Sequence, residues 1–451
     1  MRLFTVQSVF HEGNLALSLA PALTPAGLDH NPDFYRGFAA YPQVLARGLL
    51  VLADITATRY FKYTPTAQRD PVLSAQGDRL RAECFSACNS VYARLDLLQQ
   101  GFDGLIGFGT TNVDIGMELR TALTGIRQSD KLHVSIGSGG FTASRIMAEE
   151  ANRIRMEAPV TERPVQMPDR WVRALGNAAP IHQAMKPVFS LKGVTAQTFV
   201  ASLPPVTGKN QTGWLTPSGK GAVLSSRRTA GAVYVSGLHR LSALKRIMTN
   251  LLSLTFYMPD STEPGPFMAE AELFGARLTL SLTAEAWQGY SGEGALLLSL
   301  AQAEVLEDAE AIGSLLAFEA RIDDRLLMDT WRLSESRIRA ALALLAVSGK
   351  LGFDAHDRAY YHRELPADEE RVLRDNPRLK AAGKLVDQVR EDGERKWIIR
   401  SGETDYRVSL PDNGNMQEAR CTCTWYLNHR NRRGPCKHIL AVQLKEGGNE
   451  F

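Results

Sequence analysis

Apolar and polar positions follow different periods in successive parts of the chain. From Tyr41 to Phe61 the apolar residues have helical character and predict a helix. After Pro71 the runs become strand-like, at Leu80 to Phe85 and at Val91 to Leu97. Met117 to Ile126 returns to helical spacing, with Leu119, Leu123 and Ile126 on one face. Leu132 to Ile136 alternates as a strand, and Gly137-Ser138-Gly139-Gly140 is expected to close a hairpin.

Pro159 to Pro168 is proline-rich and polar and reads as a linker. A second series of similar elements follows: a strand over Val188 to Leu191, a short helix over Ala196 to Leu203, and a strand pair at Ala222 to Ser226 and Ala232 to Ser236. A helix from His239 to about Leu254 and more strand over Leu273 to Leu282 complete it. Residues 1–165 and 166–293 thus form two successive α+β segments. Their element order resembles the duplicated architecture of DNA sliding clamps, and two unrelated α+β domains satisfy it equally.

Helical patterning dominates residues 294–366. Ser334 suits an N-cap, Ile338, Leu342 and Leu345 make a buried stripe, and Gly349 suits a left-handed C-cap. Leu351 to Phe353 and Tyr360 to His362 can pair across the turn Asp354-Ala355-His356-Asp357-Arg358, so the segment resembles a winged helix. Arg337 and Arg339 fall early in the would-be recognition helix, where base or phosphate contacts are commonly made. Winged helices dock proteins as often, so both readings stay open. Residues 367–396 are charged and read as a helical linker. In 397–451, Trp397-Ile398-Ile399 and Tyr406-Arg407-Val408 look like paired strands leading to the cysteines.

A chain of 451 residues implies about three domains. Its net charge of +3 gives no whole-molecule attraction to nucleic acid, so any such contact must come from a local patch. Of the five cysteines, Cys84 and Cys88 lie far from the rest and are expected to pack inside. Usage this sparse is no disulfide framework and fits a reducing compartment. No apolar run is long enough to span a bilayer, and the first residues lack a signal-type core, so a cytoplasmic protein without membrane contact is expected.

Candidate chemistry concentrates at the C-terminal end. Cys421-Thr422-Cys423 and Cys436-Lys437-His438 are two ligand pairs separated by residues 424–435. Three thiolates and an imidazole suit a tetrahedral zinc ion, and a closed set of four leaves no position for a substrate. Pro435 is placed for the first helical position, which would put Cys436 and His438 in the opening turn of an apolar helix. His429 lies between the pairs as a substitute ligand, with His438 the better fit to the spacing. This Cys-x-Cys…Cys-x-His pattern, with the bulky Trp425 after the second cysteine, resembles the SWIM zinc finger over roughly Trp397 to Leu444.

No acidic residue occurs between Arg420 and Lys445. Arg420, Arg430, Arg432, Arg433 and Lys437 are interleaved there with Trp425, Tyr426 and His429, the mixture that a phosphate backbone or exposed base engages. The SWIM family is associated with DNA binding and with protein interaction, so the resemblance implies either. Phe85-Ser86-Ala87-Cys88, Val91 to Arg94 and Gly109 to Asp114 further resemble bacterial SWIM-containing proteins encoded beside MoxR-type AAA+ ATPases and von Willebrand A-domain proteins. That resemblance implies a three-part assembly and supplies no catalytic residue.

Other signals are weak. Gly137 to Gly140 is followed by neither a Walker lysine nor Rossmann spacing, and the glycines of Pro205 to Lys209 are wrongly spaced for a nucleotide loop. The expectation is therefore a non-enzymatic zinc protein that contacts DNA or another nucleic acid. A zinc-stapled protein scaffold, or an enzyme with its site in the N-terminal segments, are the alternatives.

Overall fold

The computed structural model describes residues 34–61, 71–137, 139–149, 153–164, 166–287, 289–290, 305–363, 377–411, 418–431 and 434–447, with short paired strands before residue 34 and at Thr64–Pro65. The architecture is mixed helix and strand, as expected. No helix among the described residues is long and apolar enough to cross a membrane.

Two halves of the first 290 residues repeat one element order. In the first, strand Tyr35–Ala39 leads into helix Pro42–Thr56, several strands, helix Met117–Thr124, and strand Lys131–Gly137, which returns to pair with Tyr35–Ala39. In the second, strand Met185–Lys192 leads into helix Gly193–Ser202, three strands, a 3-10 helix Leu238–Asn250, and strand Leu251–Pro259, which returns to pair with Met185–Lys192. The halves join edge to edge. Val91–Leu98 pairs with Ala276–Leu282, with Leu95 opposite Leu278, to make one eight-stranded antiparallel sheet. One continuous apolar core runs from Phe34 to Tyr290, so the division placed at residue 165 crosses a shared core.

Several local expectations change. Pro159 to Pro168 is no free linker: Val160–Glu162 and Gln166–Pro168 both pair into sheets. Gly221–Ser225 and Val233–Ser236 do not pair with each other but flank Thr212–Ser218. Leu273 to Leu282 is interrupted by a tight turn. Gly275 stands at φ +66°, and a Cβ there would lie 2.4 Å from the Gly101 Cα, so only glycine fits. The helix expected over His239 to Leu254 is 3-10 as far as Asn250 and strand beyond. Its buried Leu238, Leu241, Leu244 and Ile247 recur every third residue, the eclipsing period of a 3-10 helix.

Strand alternation gives the eight-stranded sheet two unlike faces. Leu80, Ala82 and Cys84 join the apolar core, and the Leu95 side chain lies against Gly48 of helix Pro42–Thr56. The opposite face carries Arg79, Arg81, Glu83, Tyr92, Arg94, Asp96, Glu270 and Arg277, the composition of a solvated antiparallel sheet. Here it is covered. Helix Glu335–Val347, capped by Ser334 as expected, leads through Gly349 at φ 84° into the hairpin Leu351–Asp354 and Ala359–His362. That hairpin docks on the charged face instead of projecting as a wing.

The turn supplies the counter-charges. Asp354, wholly buried, lies 3.0 Å from Arg94, 3.1 Å from Arg277 and 3.3 Å from Arg81. Asp357 takes Arg79 at 2.7 Å, and the imidazole of His356 lies 2.7 Å from Glu270. From the sheet, Glu83 accepts from Arg363 at 2.7 Å, Tyr361 at 2.5 Å and Tyr92 at 2.7 Å. Burial alone would raise the Glu83 carboxyl, but Arg363 and the two hydroxyls hold it below its ordinary value. Burial opposes ionisation of Asp354 too, yet Arg94, Arg81 and Arg277 hold its carboxyl well below the usual range.

Candidate metal centre

One short strand and two helices deliver the ligands. Lys396–Ser401 and Thr404–Ser409 pair as expected, with Trp397 opposite Val408, and the short strand Arg420–Cys421 adds to them. Cys423 caps helix Thr424–His429, its sulfur accepting from the Tyr426 N–H at 3.5 Å. The second pair arrives slightly later in register than expected. Helix Lys437–Gly447 begins two residues after Pro435, Cys436 precedes it, and His438 lies in its first turn. The segment read as a charged linker is partly built into this unit. Val389–Glu391 pairs with Lys396–Ser401, and the buried Leu379 and Ala382 of helix Pro377–Gly383 join the same core as Ile439 and Leu440. Residues 364–376 lie outside the described residues.

The ligand atoms of Cys421, Cys423, Cys436 and His438 all lie within 4.8 Å of one another, and all four residues are buried. The Cys421 sulfur is 3.7 Å from Nδ1 of His438. Backbone N–H groups of Cys423, Tyr426 and Ile439 point at the three sulfurs, at 3.4 to 3.5 Å. Amides aimed at all three sulfurs stabilise thiolates, the form in which cysteine ligates a divalent cation. The donor set fits a bound zinc ion, and four protein donors close its coordination. Among the described residues no other His, Cys, Asp and Glu group could hold a metal.

The Cys-x-Cys…Cys-x-His pattern is thus one buried site. Residues 406–445 match the model of the SWIM zinc finger family. This protein carries a SWIM zinc finger. The finger also resolves the competing histidine: His429 packs at a tilt against Trp425, 4.4 Å between ring centres, outside the ligand set, while His438 is in it. No curated protein matches the chain. Proliferating cellular nuclear antigen from Entamoeba histolytica is similar over 56% of this chain and 99% of its own, at 10% identity and a TM-score of 0.37. The PCNA2–PCNA3 complex of Sulfolobus tokodaii covers 55% of this chain and 98% of its own, at 9% identity and a TM-score of 0.38. Likenesses this distant carry no argument about this chain.

Residues around the SWIM ligands fix their orientation. The Tyr406 ring stacks on His438 at 4.2 Å. The Arg378 guanidinium lies 4.4 Å over Trp425 and donates to the Pro435 carbonyl at 3.0 Å. Asn431 donates to the Ala419 carbonyl at 2.8 Å and so ties the inter-pair loop to the strand before Cys421. The sequence flagged Trp425 but not Arg378, whose partner lies 57 positions away.

The basic residues divide into two groups. Arg420 and Arg430 are exposed, and Arg430 and Asn431, between the ligand pairs, both take left-handed backbone. Arg432 and Arg433 lie outside the described residues. Lys437 donates to the Ser401 hydroxyl at 3.0 Å, and Lys445 to the Val389 carbonyl at 2.6 Å. Arg337 is engaged in two hydrogen bonds to Asp308, at 2.7 and 2.8 Å, and Arg339 pairs with Glu335. Arg420 thus adjoins the ligand Cys421 and Lys437 lies between the ligands Cys436 and His438, whereas Arg337 and Arg339 lie on another helix, Glu335–Val347.

Proposed function

We propose that this chain is a non-enzymatic zinc protein whose SWIM finger presents a basic loop to the phosphate backbone of DNA or another nucleic acid. The observation that carries the reading is Arg430. It is exposed, in left-handed backbone, within an acid-free span anchored on one side by Asn431 and on the other by Cys423. A closed four-ligand ion offers no position to a phosphate, so its part is to hold the loop in shape. A loop already tethered at both ends loses less entropy on binding than a free tail does. Three ligating thiols also require a reducing compartment, which fits the cytoplasm.

Replacing Arg430, Arg432 and Arg433 together with alanine should weaken duplex binding. It should also flatten the plot of log affinity against log salt by about three times 0.9. Zinc content and melting temperature should stay as in the wild type. Unchanged affinity and slope in the triple variant would reject the loop as the contact.

One observation favours a second reading, a zinc-stapled scaffold for protein partners such as a MoxR-type ATPase and a von Willebrand A-domain protein. In the winged-helix-like segment Arg337 is held by Asp308 and the hairpin is docked on the sheet, so that segment offers little to a DNA groove. A pull-down from native lysate, with and without nuclease, separates the readings. Partners retained after nuclease treatment support the scaffold.

A further inference from the structure

On the sheet face opposite the docked hairpin, three helical segments line a half-open cavity of about 530 Å³. Helix Pro42–Thr56 contributes Arg47, the turn after helix Met117–Thr124 contributes Arg127, and the 3-10 helix Leu238–Asn250 contributes Lys245 and Arg246. No carboxylate is among the residues lining it. The floor is apolar, formed by Leu50, Leu123 and Ile126, each at most 5% exposed.

The four cations are not alike. Arg47 is fixed by the Asn250 side chain at 2.8 Å and by the Thr249 hydroxyl. Arg246 pairs with Asp54, which also takes Arg120 at 2.8 Å. Arg127 and Lys245 are exposed, and neither side chain has a hydrogen bond or ion pair among the described residues. Asp54 is thus one carboxylate shared between two arginines, while Arg47, Arg127 and Lys245 have no carboxylate partner among the described residues. Like charges gathered at the mouth of a low-dielectric hollow repel one another until an anion enters, and the hollow focuses their field.

We propose that this cavity binds a small phosphorylated ligand of the nucleoside di- or triphosphate class. Its volume is within the range of small-molecule sites. Arg47 and Arg246, held in place by their partners, offer pre-set donors to one phosphate, while Arg127 and Lys245 close on the same group from the rim. Leu50, Leu123 and Ile126 provide an apolar surface for the base. A purely electrostatic surface for a polymer backbone would need neither the concavity nor that floor.

Calorimetric titration of the zinc-loaded full chain with ATP and with inorganic tripolyphosphate tests this. Both should bind once per chain, ATP the more tightly because only it reaches the floor. The double variant Arg127→Ala/Lys245→Ala alters two exposed side chains and should fold normally. It should weaken both ligands by about tenfold to a hundredfold, as expected for two charge-assisted contacts. Lys209→Ala/Lys220→Ala, which removes two exposed lysines outside the cavity, should leave both affinities unchanged. The proposal is overturned if neither ligand saturates, if the control pair weakens them equally, or if the cavity variant loses only duplex DNA binding.

Discussion

The C-terminal half is held together in two contrasting ways. In the SWIM finger, four donors from one short stretch, Cys421 to His438, converge to within 4.8 Å of one another. At the hairpin junction, cations and carboxylates from strands far apart in sequence neutralise one another with no added ion. Both bury polar atoms that an apolar core would exclude. The finger depends on an ion that binds the folded form, whereas the junction depends on the protonation of its own side chains. Metal sites of the first kind are close to all-or-none. Buried ion networks add little net stability over apolar packing, yet breaking one partner is costly, because the others stay buried and unpaired.

Perturbing each region should separate them. The largest effect is expected from Cys423→Ser, which removes a thiolate ligand while serine can still cap helix Thr424–His429. Zinc should be lost and residues from about Pro377 onward should lose protection from hydrogen exchange, while the eight-stranded sheet keeps its own. Loss of protection throughout the sheet would contradict the separation. Asp354→Ala comes next. It leaves Arg81, Arg94 and Arg277 facing an empty position, at a cost of about 3 to 5 kcal/mol, read from denaturant unfolding. Zinc content should not change; a fall in bound zinc would mean that the two regions fold as one.

Smaller effects should follow pH, with opposite signs at the two ends of the junction. Asp354 has a depressed folded pKa, so its contribution is present above about 3.8, the ordinary aspartate value, and is lost as pH falls through the folded one. His356 has a raised folded pKa because it bonds to Glu270. Its contribution is complete below about 6.5 and fades as pH rises through the folded value. It is half-exposed, so that limb should be shallow. His356→Gln should abolish the shallow decline above pH 6.5 and leave the acid limb in place. A decline that survives the substitution would assign it to another group.

The same contrast explains what the sequence disclosed. The zinc ligands were legible because all four lie within one local segment at a spacing that only convergence on an ion explains. Their supports were less so, since Arg378 reaches Trp425 and Pro435 from an element that reads as charged linker. The junction was not legible. Arg79, Arg81 and Glu83 alternate as the wet face of an antiparallel strand does, and Arg363 meets Glu83 across 280 positions. The turn Asp354 to Arg358 has the polarity of an exposed wing tip, and Asp354 within it is buried only because the charged sheet face lies opposite. The repeated strand and helix order of the first 290 residues followed from periodicity. The path of 238–250 did not, because an apolar spacing of three is close to that of an α-helical face over so few turns.

The most direct test of the finger is X-ray absorption at the zinc edge on protein purified without chelator, with the metal quantified on the same sample. One zinc per chain is expected, with three sulfurs at about 2.3 Å and one nitrogen at about 2.0 Å. No water or carboxylate oxygen should appear in its first shell. Well under one zinc per chain, or a shell containing oxygen, would contradict a closed site formed by Cys421, Cys423, Cys436 and His438.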